Sequence, residues 1–103
     1  LRFFEAPAVI ILYTDAQLDP ARSQFDLGSL SQTIALAALK HGLGTCLSLA
    51  GVGYPDAVRE IVGIDKSKKI ALAITLGYAV PGAPVNEYES PRAPLAELVL
   101  WRD

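Results

Sequence analysis

Apolar residues fall along this chain in runs parted by short polar stretches, and the run lengths predict strands alternating with helices. "APAVIILYTD" (residues 6–15) is apolar without alternation and rich in β-branched residues, which predicts a strand covered on both faces. "AQLDPARSQ" is polar and holds Pro20, so a loop is expected. "FDLGSLSQTIALAALKHG" predicts a helix, with Asp26 as N-cap and a second capping box from Ser29 to Gln32. Leu27, Leu30, Ile34, Ala37, Ala38 and His41 fall on one helical stripe, and Leu36 and Leu39 lie on another. A helix apolar nearly all round is buried on more than one side. Gly42 is the residue expected just past its end.

"LGTCLSLAG" predicts a short extended stretch running into small residues. "GYPDAVREIVGI" predicts a second helix. Pro55 suits its first turn, Asp56 complements the dipole, Val58, Ile61 and Val62 form the expected buried stripe, and Gly63 ends it. "KKIALAITLGYA" is apolar on both faces and predicts a central strand, and "LAELVLW" (residues 95–101) is the last strand candidate. Strands alternating with helices predict an α/β or α+β domain with helices covering a sheet. No internal repeat, low-complexity tract or domain boundary is visible.

Composition narrows the classes. The 103 residues suffice for one domain and one core. The net charge of −2 argues against a nucleic-acid footprint, and Lys66, Lys68 and Lys69 read as a solvated turn. The 51% apolar content is rich for a small monomer, so either the core is unusually large for the size or apolar surface is buried against another chain. No run approaches the ~20 residues needed to span a bilayer, and no signal segment opens the chain. The single Cys46 forms no internal disulfide, which fits a reducing, cytoplasmic compartment. The chain starts at Leu1 and holds no methionine, so a fragment or a processed chain is expected.

Candidate chemistry is sparse. His41, at a helix end, reads as a cap, and one His with one Cys makes no zinc site. The G-x-S-x-G, G-x-G-x-x-G and P-loop patterns are missing. Cys46 has no base beside it and reads as a small buried hydrophobe. Two stretches remain. Ala50, Gly51 and Gly53 in "CLSLAGVG" are small enough to let a flat ligand approach the backbone, or simply pack as a turn. In "PVNEYESPRAPLAELVLW", Pro91 and Pro94 fix φ at about −65° around Arg92. A stiffened arginine suits a phosphate or carboxylate; the alternative is a solvated arginine before an edge strand.

Taken together, "FFEAP", "DLGSLSQTIALAALKHGLGTC", "YPDAVREIVGI" and "IALAITLGYAVPGAPVNEYESPRAPLAELVLW" resemble the flavin-dependent nitroreductase family in order and spacing. The likeness covers essentially the whole chain but only the carboxy-terminal part of a family domain. The amino-terminal phosphate-binding motifs of the family are missing. The resemblance implies an α+β, nitroreductase-like fold, a central sheet covered by helices, and a carboxy-terminal strand exchanged with a partner. It implies a homodimer with FMN at the interface, NAD(P)H as hydride donor and a small nitroaromatic or quinone-like acceptor, with ping-pong turnover. Residue by residue, it puts Ser48, Leu49, Ala50 and Gly51 beside the flavin ring and Ser90 and Arg92 at the FMN phosphate. The helix over residues 27–41 would then sit in the dimer core. No side chain is implied as an acid or a base, and no metal, membrane or nucleic acid is implied.

Two other readings stand beside it. One is a truncated or degenerate nitroreductase-like chain that folds and dimerises without turnover. The other is a small thiol-dependent α/β protein using Cys46, which lacks a second cysteine or a base.

Overall fold

The computed structural model describes residues 3–102. Its centre is a three-stranded sheet of β1 (Ala8–Asp15), β2 (Gly44–Ser48) and β3 (Lys68–Gly77). The order is β1-β3-β2, and β3 runs antiparallel to both neighbours. Pairing of Ile10 with Ile74 and Leu12 with Leu72 puts these four on one face. Ile11, Ala73 and Ser48 pair across the other. The middle of β3 is the core: Ala73, Ile74 and Thr75 are buried, as expected of a central strand. β1 is an edge strand, and of its residues Leu12 alone is fully buried, so the expected cover on both faces is incomplete.

Helix α1 (Pro20–Leu39) touches all three strands. It begins six residues before the expected N-cap Asp26. Asp19 is the cap, its carboxylate accepting from Arg22 N at 2.9 Å, and Pro20 opens the first turn. The expected loop around Pro20 is therefore helix, and Ser29 and Gln32 lie inside it rather than at a start. The cause is local: an Asp-Pro pair satisfies an N-terminus, because proline lacks only an N–H that has no partner there. The sheet-facing side carries Ser23, Leu27, Ser31, Ile34 and Ala38. Leu27, Ile34 and Ala38 were on the expected stripe; Leu30, Ala37 and His41 are exposed instead. Two serines replace them because their hydroxyls donate within the helix, Ser23 to Asp19 O at 2.7 Å and Ser31 to Gly28 O at 2.8 Å. Phe25, Leu36 and Leu39 on the far side are exposed, so the helix is apolar on two sides.

The end of α1 matches expectation. Gly42 is left-handed (φ 70°), its N–H reaches Leu39 O, and Leu43 N–H reaches Ala38 O. Helix α2 (Pro55–Val62) likewise ends at left-handed Gly63. Its expected buried stripe is corrected: Val58 is half-buried, but Ile61 is 83% exposed and Val62 is exposed too. What fastens α2 is Arg59, which donates to Lys68 O at the start of β3 and lies 4.0 Å from Asp56.

Beyond β3 the chain leaves the sheet. Residues 78–102 form an arm in which all but Ala83 and Val99 are exposed. The arm holds two single-turn helices, α3 (Pro84–Glu87) and α4 (Leu95–Leu98). The strand expected over residues 95–101 is thus corrected: it opens as a helical turn, and residues 99–102 join no strand. An apolar run of that length does not by itself separate helix from strand. The accessible surface is 8348 Å², where a compact protein of this mass exposes about 5,600 Å²; the arm and the exposed apolar residues of α1 and α2 all contribute to the surplus. No helix among the described residues is long and apolar enough to cross a membrane.

Candidate functional site

The loop that follows β2 is built by its own side chains. Ser48, the last residue of β2, is buried, and its Oγ accepts from Gly51 N at 3.0 Å. That bond bends the chain into a tight 3-10 turn, Ala50–Val52. Gly51 is buried against the sheet, where an added β-carbon would meet the Ala73 side chain at 3.2 Å. Ser48 and Gly51 therefore hold the loop from inside. Leu49, at 75% exposure, and Ala50 are what it presents outward. The first N–H groups of such a turn have no partner within it.

Leu49 also walls a cleft of about 400 Å³ between the sheet and the first half of α1. Leu18, Ser23, Leu27, Ile70 and Leu72 line it, with Asp15 and Lys69 also in its wall. Sequence reasoning missed this cleft, because reading Pro20 as a helix breaker removed Ser23 from the helix. Asp15 is held below the ordinary carboxylate range, first by the N–H of Gln17 and then by the Lys68 ammonium at 3.1 Å.

The second expected group lies on the arm. Arg92 Nη1 donates to the Ser90 hydroxyl, to Ser90 O at 3.1 Å and to Pro91 O at 3.3 Å. The side chains of Ser90 and Arg92 are thus brought together, and both are exposed. Among the described residues no hydrogen bond engages Nη2 or Nε of Arg92, so one edge of the guanidinium fork stays open. Ser90 Oγ accepts from Arg92 and keeps its own O–H to donate. An arginine edge beside a hydroxyl is a donor set suited to a phosphate monoester.

Cys46 is exposed on β2, not the buried hydrophobe expected. β2 is an edge strand, and the Cys46 thiol donates weakly to the carbonyl of Leu47 at 3.9 Å.

The family model described as "Nitroreductase family" matches residues 1–78. The chain belongs to the nitroreductase family. It is 37% identical over 97 residues to nitroreductase NfnB of Mycolicibacterium smegmatis, covering 94% of this chain and 41% of that protein. It is 33% identical over 90 residues to 4-nitrobenzoate reductase of Pseudomonas putida, covering 87% of this chain and 39% of that protein. Among solved structures, the FMN-dependent nitroreductase NfnB from Mycobacterium smegmatis in complex with NADPH superposes with a TM-score of 0.92 at 34% identity, over 99% of this chain and 45% of that one. This family member spans less than half the length of these relatives. Its mixed helix-and-sheet architecture is the nitroreductase fold over the shared part.

Proposed function

We propose that this chain is part of an FMN-dependent oxidoreductase that takes hydride from NAD(P)H and passes electrons to a nitroaromatic or quinone-like acceptor. The observation that carries this reading is the superposition of 99% of the chain on an FMN-dependent nitroreductase solved with NADPH. FMN, when bound, supplies the centre that accepts hydride and releases electrons, so the protein's task is to bind, orient and shield. Arg92 and Ser90 hold the phosphate. Leu49 and Ala50 lie along the ring, where the backbone N–H groups opening the turn favour the more negative, reduced form. Ser48 and Gly51 fix that backbone. No side chain of this chain serves as an acid or a base. A second copy covers the arm and the outer side of α1, making a homodimer; the surplus surface and the exposed Phe25, Leu36 and Leu39 support this.

The test is the affinity for FMN. Removing one partner of a desolvated charge pair costs roughly 2–5 kcal/mol, or about 30- to several-thousand-fold in affinity. Arg92→Ala in the intact protein is expected to raise the FMN dissociation constant at least about tenfold, and Arg92→Lys to recover part of that loss. At saturating FMN the hydride step should change much less, because Arg92 meets the phosphate and not the ring. An Arg92→Ala protein that binds FMN as tightly as the parent removes this assignment.

A further inference from the structure

We propose that Phe3 is a positioning residue for the loop over residues 48–51, and that the turn Phe3–Glu5 is built to hold it there. The functional consequence rests on the FMN reading above. The turn is left-handed at three successive non-glycine residues, with φ of 46°, 59° and 60°. L-residues avoid that region, because Cβ crowds the following carbonyl. Such geometry persists only where the surroundings over-determine it, and it clusters where strain serves a site.

Here the surroundings are two rings seated on two glycines. A β-carbon at Gly51 would lie 2.8 Å from Phe3 Cε1, so the ring edge rests directly on the glycine. A β-carbon at Gly77 would lie 3.0 Å from Pro7 Cδ, so the other end of the same short segment is seated in the same way. Between them the turn is closed by Ala6 N–H to Phe3 O at 3.2 Å. The middle residue, Phe4, is 74% exposed, so the geometry does not serve to bury it. What it achieves is to press Phe3 onto Gly51.

Gly51 is then clamped on three sides. The Phe3 ring covers it, Ala73 of β3 backs it, and its N–H is tied to Ser48 Oγ. Leu49 and Ala50, the outward residues of the loop, ride on that clamp. The Phe3 ring edge meets Gly51, and Phe3 is therefore assigned a positioning role. It acts through Gly51 on the height and tilt of the backbone at residues 49 and 50. The glycine is required here by the Phe3 ring together with the Ala73 side chain, not by backbone conformation, since no positive φ is found at position 51.

The experiment compares Phe3→Ala, Phe3→Leu and Phe4→Ala in the intact protein. Amide hydrogen exchange at residues 49–52, read without cofactor, is expected to speed up about tenfold in Phe3→Ala and to stay near the parent in Phe3→Leu and Phe4→Ala. In the FMN-loaded protein, Phe3→Ala should alter the visible circular dichroism of the flavin. It should also slow hydride transfer from NADPH about tenfold or more at saturating FMN. FMN affinity should fall less than in Arg92→Ala. Gly51→Ala tests the same contact from the other side: its loss of protection and that of Phe3→Ala should be less than additive in the double variant, because both break one contact. Unchanged exchange at residues 49–52 in Phe3→Ala, or fully additive losses in the double variant, overturns the clamp. Faster exchange with unaltered flavin dichroism and hydride transfer overturns the positioning role. Failure of the unmodified protein to take up FMN removes the functional reading instead, with the exchange data still deciding whether the clamp exists.

Discussion

Trp101 is the single tryptophan of the chain, 78% exposed near the end of the arm, with Leu98 and Leu100 exposed beside it. The chain's 8348 Å² exceeds the surface of a compact protein of its mass by about 2,700 Å². A standard interface covers roughly 800 Å² per partner, so a second copy seated on the arm would fall in the class of obligate dimers. Aromatic anchors dominate such interfaces, and truncating one typically costs about 2–4 kcal/mol. That range converts to an increase of about 30- to 1,000-fold in the dimer dissociation constant. Trp101→Ala is therefore expected to sediment as monomer at concentrations where the parent is dimeric. Its far-ultraviolet circular dichroism should be little changed, because the residue is mostly uncovered within its own chain. A parent that sediments as a monomer at every concentration refutes the reasoning. So does a Trp101→Ala variant whose association is unchanged.

Asp15 and Asp65 both lie below the ordinary carboxylate value, Asp15 through Gln17 N–H and then Lys68, Asp65 through the hydroxyl and N–H of Ser67. A carboxylate with a depressed folded-state value contributes stability that is present above its unfolded-state value and lost as the pH falls through the folded-state one. Urea midpoints should therefore hold steady down to about pH 4 and decline below it. Asp15→Asn should make that decline shallower; an identical acid profile would count against the contribution of Asp15. Cys46 is exposed and meets no base, so Cys46→Ser should keep nicotinamide oxidation within about a few-fold of the parent. Complete loss of turnover in a variant that still folds and holds FMN would reject a non-catalytic Cys46.

The elements that could be read from the chain were those whose signals are local. Gly42 and Gly63 mark helix ends because left-handed backbone is an intrinsic preference of glycine. Pro55 and Asp56 mark a helix start, and the core of β3 stood out as an unbroken apolar run. Asp19 and Pro20 misled because the same proline breaks a helix interior and opens a helix start. Ser23 and Ser31 were hidden because a hydroxyl that bonds its own helix packs like a small apolar group. Cys46 looked like core because it lies in an apolar stretch, and Ile61 and Val62 because they share a helical stripe with Val58. Which apolar residue a single chain covers depends on what packs against it from elsewhere, and the surplus surface shows how much of that cover lies outside these residues. At the candidate site, the prolines flanking Arg92 drew attention to that arginine, but its side-chain bond to Ser90 was not legible. Nor was the division of labour in the loop, since only coordinates show Ser48 and Gly51 facing inward while Leu49 and Ala50 face out.

The strand order carries a consequence for assembly. β3 is last of the three strands along the chain, yet it lies between the other two. Ala8 pairs with Leu76 and Gly44 with Gly77, and β1 and β2 share no ladder with each other. No part of the sheet can therefore form as a local hairpin. Among the described residues, β1, α1 and β2 precede β3 in the chain, so none of these three strands can pair with another before residues 68–77 are made. Such long-range closure slows folding and prolongs exposure of aggregation-prone edges. Pairing among these three strands is accordingly gated by β3, and substitutions there should delay closure of this part of the sheet more than equal losses of stability elsewhere in it.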